Sequence, residues 1–396
     1  DYNADGQLSA SEYGSVRRIT VYWQEVTTLK GIEYFPNLEK LDASGCKLEE
    51  LDVSANVELT HLRVGTNQLK ALDVGKCPKL EELDVSYNYL TELDVTNNPA
   101  LVSLSVDSGS TVSYDSNWNP IAYNQLQTLD VSNQPELTSL KANGNLLTAL
   151  DVSQNPKLQT LEVARNQLTQ LDLHSNPELQ TLNLAENLMG VVDVSSNAQL
   201  TDLNVAANAL TQLDVPHNPK LKNLVAGGYS EYDRRNQLKE LNLSANTELE
   251  SLDVDENLLS SLDISNNLLL TNLSAENNGL TALDVTKHTQ LRQLSVTSNQ
   301  LKTLDVSNNT QLEWLQAASN QLSKMDVTKN TKLNWLDVSN NQLSELDISQ
   351  NASLYSLSAS SNQLKALDVA ANEKLTSLYV SENKILFSPY VSLKIG

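Results

Sequence analysis

The sequence repeats one 21-residue unit, and this repeat restricts the possible folds more than any other feature. The tripeptide Leu-Asp-Val, or a close variant, begins fifteen times between positions 51 and 367. Successive copies are 21 residues apart, except for steps of 36 and 28 residues that equal one repeat plus insertions of 15 and 7 residues. Since a fixed period of this kind is typical of repeat proteins, we expect stacked coils, none of which folds alone.

A second pattern, Leu-x-x-Leu-x-Val-x-x-Asn-x-Leu, lies between these tripeptides and is complete over residues 80–90 and 333–343. Sixteen copies begin between positions 38 and 375, and fifteen carry the Asn, whereas the first has Cys46. Leu-x-Val has the period of a β-strand that directs both apolar side chains inward. The Asn follows at a turn, where its amide can bond backbone groups of adjacent coils. We therefore predict sixteen stacked parallel strands.

Composition supports a repeated core and narrows the function. The 396 residues include 71 Leu and 44 Asn but only two Phe and two Met. A net charge of −22 disfavours binding to nucleic acid or an anionic membrane, since both require clustered Lys and Arg. No apolar run approaches the roughly 18–20 residues that span a bilayer. Because the chain opens at Asp1 with no signal peptide, we expect that a targeting segment has been trimmed away.

These segments resemble leucine-rich repeats over about residues 38–385, and the 21-residue unit resembles a nested bacterial variety whose second half echoes the first. The resemblance implies a repeat solenoid, a right-handed superhelix with a concave parallel β-sheet. On the convex side we expect short extended segments rather than helices, because Leu-Asp-Val-Ser is strand-like. Such repeats are familiar in secreted and surface proteins of bacteria, so the resemblance also implies a secreted or cell-surface location.

The resemblance divides the chain into four parts. Residues 1–18 are predicted to form a calcium loop with an exit helix, and residues 19–37 an N-terminal cap that resembles the internalin-like cap. Residues 38–385 form the repeats, and residues 386–396 a C-terminal cap.

Two insertions, residues 107–123 and 227–235, enter at the same place in the unit, between the strand and its Asn. They are predicted to emerge from the same edge, either as tolerated surface loops or as binding loops. Their aromatic side chains are the candidate ligand contacts: Tyr114, Trp118 and Tyr123 in the first insertion, and Tyr229 and Tyr232 in the second.

Other polar residues are interpreted as architecture. The Asp of Leu-Asp-Val recurs in 14 of 15 copies, so we expect it to accept hydrogen bonds from nearby backbone or Ser/Thr groups rather than to form a cation-binding rail. Cys46 and Cys77 lie in different Asn columns, farther apart than a disulfide allows, and are predicted to be buried free thiols. The four histidines, each in a different coil, are interpreted as surface substitutions: His61, His174, His217 and His288.

The N-terminus matches Asp-x-Asn-x-Asp-Gly-x5-Glu at every position and resembles an EF-hand loop, or one half of a dockerin. Calcium requires six to eight hard oxygen ligands, which this spacing supplies around one tight loop. The alternative is an acidic turn without an ion. The predicted ligands are the side chains of Asp1, Asn3, Asp5 and Glu12 and the carbonyl of Gln7.

Aromatic residues concentrate on the last strands. Trp314 and Trp335 each precede an inward Leu, so we expect two indoles side by side, about 4.8 Å apart, on the concave face. Tyr379 is predicted to face the same way, and Tyr355 to flank the pair. Exposed Trp and Tyr are frequent binding anchors. The alternative is that the two Trp pack on each other and cover the strand edge.

We therefore predict a non-catalytic, monomeric scaffold that recognises a protein ligand through its concave face or insertion loops. No acid/base pair departs from the repeat consensus, and no nucleophile elbow, phosphate loop or zinc pattern is present, which argues against an enzyme. The alternative is a glycan-binding or glycan-degradation accessory protein. Neither hypothesis includes nucleic acid or a transmembrane segment.

Overall fold

The computed structural model describes residues 10–108, 113–114, 120–121, 123–228 and 235–385. The chain divides into two compact units, Asp1–Leu200 and Thr201–Gly396. The first unit begins with helix α1 (Ala10–Tyr13) and contains a 3-10 turn at Ile32–Tyr34. Its parallel strands are β1 (Arg18–Thr20), β2 (Lys40–Asp42), β3 (His61–Arg63), β4 (Glu82–Asp84), β5 (Ser103–Ser105), β8 (Ser139–Lys141), β9 (Thr160–Glu162) and β10 (Thr181–Asn183), and the first insertion holds the antiparallel pair β6 (Ser113–Tyr114) and β7 (Pro120–Ile121).

Within its described residues, the second unit repeats this arrangement with nine parallel strands. Neighbouring strands lie in register, so each residue pairs with the one at the same place in the next coil. The strands are β11 (Asp202–Asn204), β12 (Asn223–Val225), β13 (Ser251–Asp253), β14 (Asn272–Ser274), β15 (Gln293–Ser295), β16 (Trp314–Gln316), β17 (Trp335–Asp337), β18 (Ser356–Ser358) and β19 (Ser377–Tyr379).

The core of each unit is a stack of identical apolar positions. The central Leu of strands β2–β5 and β8–β18 is buried, as Leu62 and Leu83 show, and the Val, Ala or Leu two residues later is buried with it. The first and third residues of each strand face outward and together form the surface that we call the sheet face. In the described repeats the segments opposite the sheet are extended or turned and contain no helix. The prediction of a leucine-rich repeat solenoid with a parallel sheet is therefore confirmed.

The Asn that follows each strand joins its coil to the preceding one. The Asn166 side chain donates to the carbonyls of Ala142 and Val163, at 2.9 and 3.0 Å, and its oxygen accepts the Leu147 N–H at 3.0 Å. Asn166 is buried, and an unpaired amide there would be destabilising. One side chain thus satisfies backbone groups in two coils.

The second Asn column forms fewer bonds. Asn176 donates to the carbonyls of Val152 and Asn155, both at 2.9 Å, but its own buried oxygen has no protein partner. Because the position requires only a donor, other side chains replace Asn there: Cys77, Gln134 and His288.

The prediction that all four histidines are surface substitutions is wrong for His288. This residue is only 1% exposed, and its Nε2–H donates to the carbonyl of Ile264 at 3.1 Å. The ring occupies the place of the Asn amide and bonds the equivalent carbonyl of the preceding coil. His174 and His217, in contrast, are exposed, and His61 is half-buried.

Both cysteines are buried free thiols, as the sequence predicts. The Cys46 Sγ donates to the carbonyl of Val21 at 3.0 Å, and the Cys77 Sγ contacts the carbonyls of Val53 and Asn56 at 3.6 and 3.7 Å. Burial raises the pKa of Cys77 to about 11, so its thiolate, the reactive form, is scarce at neutral pH.

The Asp of Leu-Asp-Val closes a local turn, and its predicted structural role is confirmed. The Asp94 carboxylate accepts the hydroxyl and the N–H of Thr96 at 2.6 and 2.9 Å, and these bonds lower the pKa of Asp94. In the copy that has Asn242 instead, the side-chain oxygen accepts the Ser244 N–H at 3.1 Å. The turn therefore requires an acceptor rather than a charge.

The N-terminal cap differs in detail from the prediction. Helix α1 ends at Tyr13 rather than continuing to residue 18, because Gly14 follows and the chain then extends into β1, which pairs with β2. The Trp23 ring covers Gly45, where an added Cβ would lie 2.4 Å from the indole. The cap thus adds one strand to the sheet before the first repeat.

The two Asn columns should differ in their contribution to stability. We expect Asn166→Ala to reduce the free energy of unfolding more than Asn176→Ala, by about 1–3 kcal/mol, because only the former leaves a buried N–H, that of Leu147, without an acceptor. Urea unfolding of both variants measures the difference, and Gln167→Ala on the exposed surface is the control. Equal destabilisation by the two variants would contradict the unequal roles.

Candidate functional site

Two tryptophans stack on the sheet face of the second unit. Trp314 on β16 and Trp335 on β17 are register partners, and their rings lie parallel, 4.5 Å apart with an interplanar angle of 3°. Both side chains are half-buried, since each covers one face of the other. The structure thus places the predicted indoles side by side, with the remaining ring surface outward.

The two tyrosines predicted to join this pair lie differently. Tyr355 precedes β18 and packs edge-on against Trp335, with ring centroids 5.9 Å apart, while 39% of it stays exposed. Tyr379 is 60% exposed, but it is the third residue of β19 and pairs with Ser358, outside the Trp column. No ring contact joins Tyr379 to the others within the described part of this unit. We call Trp314, Trp335 and Tyr355 the aromatic patch.

Next to the aromatic patch, on the side of β13–β15, lies a shallow groove of about 290 Å³ that the sequence did not reveal. Trp314 lines one end, and no Lys or Arg is among the described residues that line the groove. We call this surface the acidic groove; its polar lining includes Asp253, Asn272, Glu276, Gln293, Trp314 and Gln316.

Asp255 is hydrogen-bonded to two residues that line the acidic groove, Ser274 and Glu276. It accepts hydrogen bonds from the Ser274 hydroxyl at 2.7 Å and from the Glu276 N–H at 2.6 Å. Burial, together with the charge of Asp253, raises the pKa of Asp255 to about 7. Burial also raises the pKa of Asp253. The groove therefore brings several carboxyl groups together in a partly desolvated place.

The first insertion adjoins a second aromatic cluster. Tyr123, at its end, contacts Tyr87 edge-on at 5.4 Å and stacks on Tyr89 at 6.0 Å. Tyr87 and Tyr89 flank an Asn of the first column and were missed, because single Tyr residues within a repeat give no signal of their own. Trp118, Tyr229 and Tyr232 lie outside the described residues, and of Tyr114 only the backbone, in β6, is described.

The predicted calcium loop falls mostly outside the described residues. These do not include Asp1, Asn3, Asp5 or Gln7, whereas Glu12 is in α1 and only 6% exposed. Among the residues that the structure describes, no three His, Cys, Asp or Glu side chains are grouped so that they could hold a metal ion. In the same part of the chain, no helix has the length and apolar character needed to cross a membrane.

Asp255 should make the protein less stable as the pH rises. Its folded-state pKa of about 7 exceeds its ordinary value of 3.8, so folding favours the protonated form, and stability falls between about pH 4 and 7. Asp255→Asn keeps the acceptor without the charge. Since one pKa unit corresponds to about 1.4 kcal/mol, we expect the variant to gain stability at pH 8 and to match the parent at pH 4.

Thermal unfolding at both pH values measures this effect, with Asp94→Asn as the control. Asp94 is exposed, and Asn keeps its turn bond as it does at Asn242, so this substitution should change stability little at either pH. A gain from Asp255→Asn that is the same at pH 4 and pH 8 would show that ionisation is not its cause.

Comparison with known proteins identifies the repeat. No protein-family model and no curated protein sequence matches the chain. Among solved structures, the functional domain of InlJ from Listeria monocytogenes, which includes a cysteine ladder, is 31% identical, with 87% of this chain and 72% of that domain covered and a TM-score of 0.77.

Two further structures share the fold. YopM from Yersinia enterocolitica is 25% identical, with 93% of this chain and 88% of that chain covered and a TM-score of 0.61. A leucine-rich repeat protein of Leptospira interrogans is 23% identical, with 96% and 93% covered and a TM-score of 0.72. On the identity and coverage shared with InlJ, together with the in-register coils described above, the chain belongs to the bacterial leucine-rich repeat proteins.

Proposed function

We propose that this protein is a non-catalytic scaffold, secreted or displayed on the cell surface, that binds a protein ligand through the sheet face of its second unit. The observation that carries the proposal is the stacked pair Trp314–Trp335, flanked by Tyr355. Its bacterial leucine-rich repeat relatives also suggest a binding scaffold rather than an enzyme.

The position of the aromatic patch supports binding over a purely structural role. The repeats elsewhere have Ser, Asn, Gln, Thr, His or charged residues at the first strand position, and their strands form the same ladder, as at β14 and β15. Two indoles are therefore not needed to build the sheet. Trp and Tyr bury a large area with few rotatable bonds, which makes them frequent anchors of protein interfaces.

The patch should carry affinity but little stability. We expect the double variant Trp314→Ala/Trp335→Ala to bind its ligand at least tenfold more weakly, because a central anchor contributes about 2 kcal/mol or more. Loss of the ring stacking should reduce the free energy of unfolding by about 0.5–1.5 kcal/mol, in addition to the loss of the area that the two half-buried rings cover.

The ligand can be sought by cross-linking the whole chain to host and bacterial protein extracts and identifying captured proteins by mass spectrometry. Binding of each is then measured by calorimetry with the double variant. Tyr22→Ala/Tyr34→Ala, which removes two exposed aromatic rings from the cap, is the control. Undiminished binding by the Trp variant would reject the aromatic patch and favour the insertion loops. No observation on the structure favours a glycan over a protein ligand.

We also propose that the N-terminal loop binds calcium. The complete ligand spacing from Asp1 to Glu12 supports this, and Glu12 stands at the start of the cap, so the ion would pin the cap locally. We expect calorimetry to show uptake of one calcium ion, which Glu12→Gln weakens at least tenfold, with little change in the melting temperature of the repeats. Absence of heat at millimolar calcium would reject the site.

A further inference from the structure

We propose that the acidic groove receives an arginine side chain from a basic segment of the partner protein, with its guanidinium on the free face of Trp314 and its donors directed to Asp253 and Glu276. The inference rests on the proposed function, which supplies a protein ligand at the adjoining aromatic patch, and it specifies the chemistry of that ligand.

The geometry of Trp314 provides the first argument. Trp335 covers the indole on the side of β17, while the opposite side of Trp314 lines the groove toward β15. An indole face is the best aromatic surface for a cation. The planar guanidinium of Arg stacks on such a face while its edge donates hydrogen bonds, which the compact ammonium of Lys does less well.

Charge complementarity provides the second argument. Asp253 and Glu276 line the groove, and no Lys or Arg is among the described residues that line it with them; Arg292, which precedes β15, pairs with Glu313 at 3.9 Å. The hydrogen bonds that reach these carboxylates come from neutral groups, such as the Asp255 N–H on Asp253 and the Ser295 hydroxyl on Glu276. Among the described residues these two carboxylates thus have no basic partner in the groove, and a cation that enters from outside would balance their charge.

Size and composition select the kind of cation. The groove, of about 290 Å³, is open and polar, whereas small-molecule pockets are usually enclosed and mostly apolar. The described residues show no cluster of three side chains suited to a metal ion, here or elsewhere. An extended chain that presents one arginine to the groove, and apolar groups to the aromatic patch, matches both surfaces.

The test uses the whole chain and acetyl-hexaarginine amide, followed by tryptophan fluorescence and calorimetry at 150 mM salt, where distant surface charges are largely screened. The groove variant is Asp253→Asn/Glu276→Gln. The matched control is Asp263→Asn/Asp284→Asn, which removes two charges from the turns of neighbouring repeats, where Asn242 shows that Asn keeps the turn bond.

We expect hexaarginine to change the tryptophan fluorescence of the parent and to bind more tightly than hexalysine. The groove variant should bind it at least tenfold more weakly, and the control less than twofold. Because the carboxylates are partly buried, Gln293→Lys gives an independent check. It adds a cation at an exposed groove position and should weaken binding just as strongly without affecting the fold.

Several results would overturn the inference: equal losses in the groove variant and the control, binding without a fluorescence change, or displacement of hexaarginine by calcium, which would assign the carboxylates to a metal. The proposed function fails separately. A captured protein could bind the Trp double variant more weakly but bind the groove variant and Gln293→Lys as tightly as the parent. In that case the scaffold role stands and only the arginine assignment is rejected.

Discussion

The structure depends on one interaction, the bond between an Asn side chain and the backbone of the preceding coil. An amide has two donor hydrogens and an acceptor oxygen, so it can satisfy several backbone groups from one position. Asn166 does so for carbonyls of two coils and for the N–H of Leu147. The backbone at this turn has no strand partner, and without the amide it would be buried unsatisfied. Apolar stacking provides the driving force for folding, but the Asn column makes the turn compatible with burial.

The two polar columns show how strictly a position is constrained. The first Asn column both donates and accepts, and among the repeats it is interrupted only by Cys46 in the first copy. The second column only donates, and there a thiol, a longer amide and an imidazole replace Asn. A position that must form more hydrogen bonds therefore accepts fewer residue types. The turns at Leu-Asp-Val follow the same rule, since Asn242 accepts the hydrogen bond of the turn without carrying a charge.

The fold could be predicted from the sequence because every coil packs the same residue types at the same positions, and sixteen copies show the same pattern. Isolated features were less predictable. His288 lies at an Asn position in the repeat, but its residue type suggested the surface. The stacking of Trp314 on Trp335 followed from register alone. The acidic groove did not, because Asp253, Asp255 and Glu276 are ordinary residues that become neighbours only when strands align.

Because the strands stack in register, the residues that determine the fold are different from the residues that form the binding surface. Residues that touch across neighbouring strands, such as Trp314 and Trp335, are 21 positions apart in the chain where no insertion intervenes, and the Leu between the outward positions is the same in every repeat. The interior thus does not distinguish one coil from the next. Gain or loss of a complete repeat would preserve the interior and change which outward side chains become neighbours. The surface that a partner contacts is therefore determined by the order in which the coils follow one another, and not by the residues of any single coil.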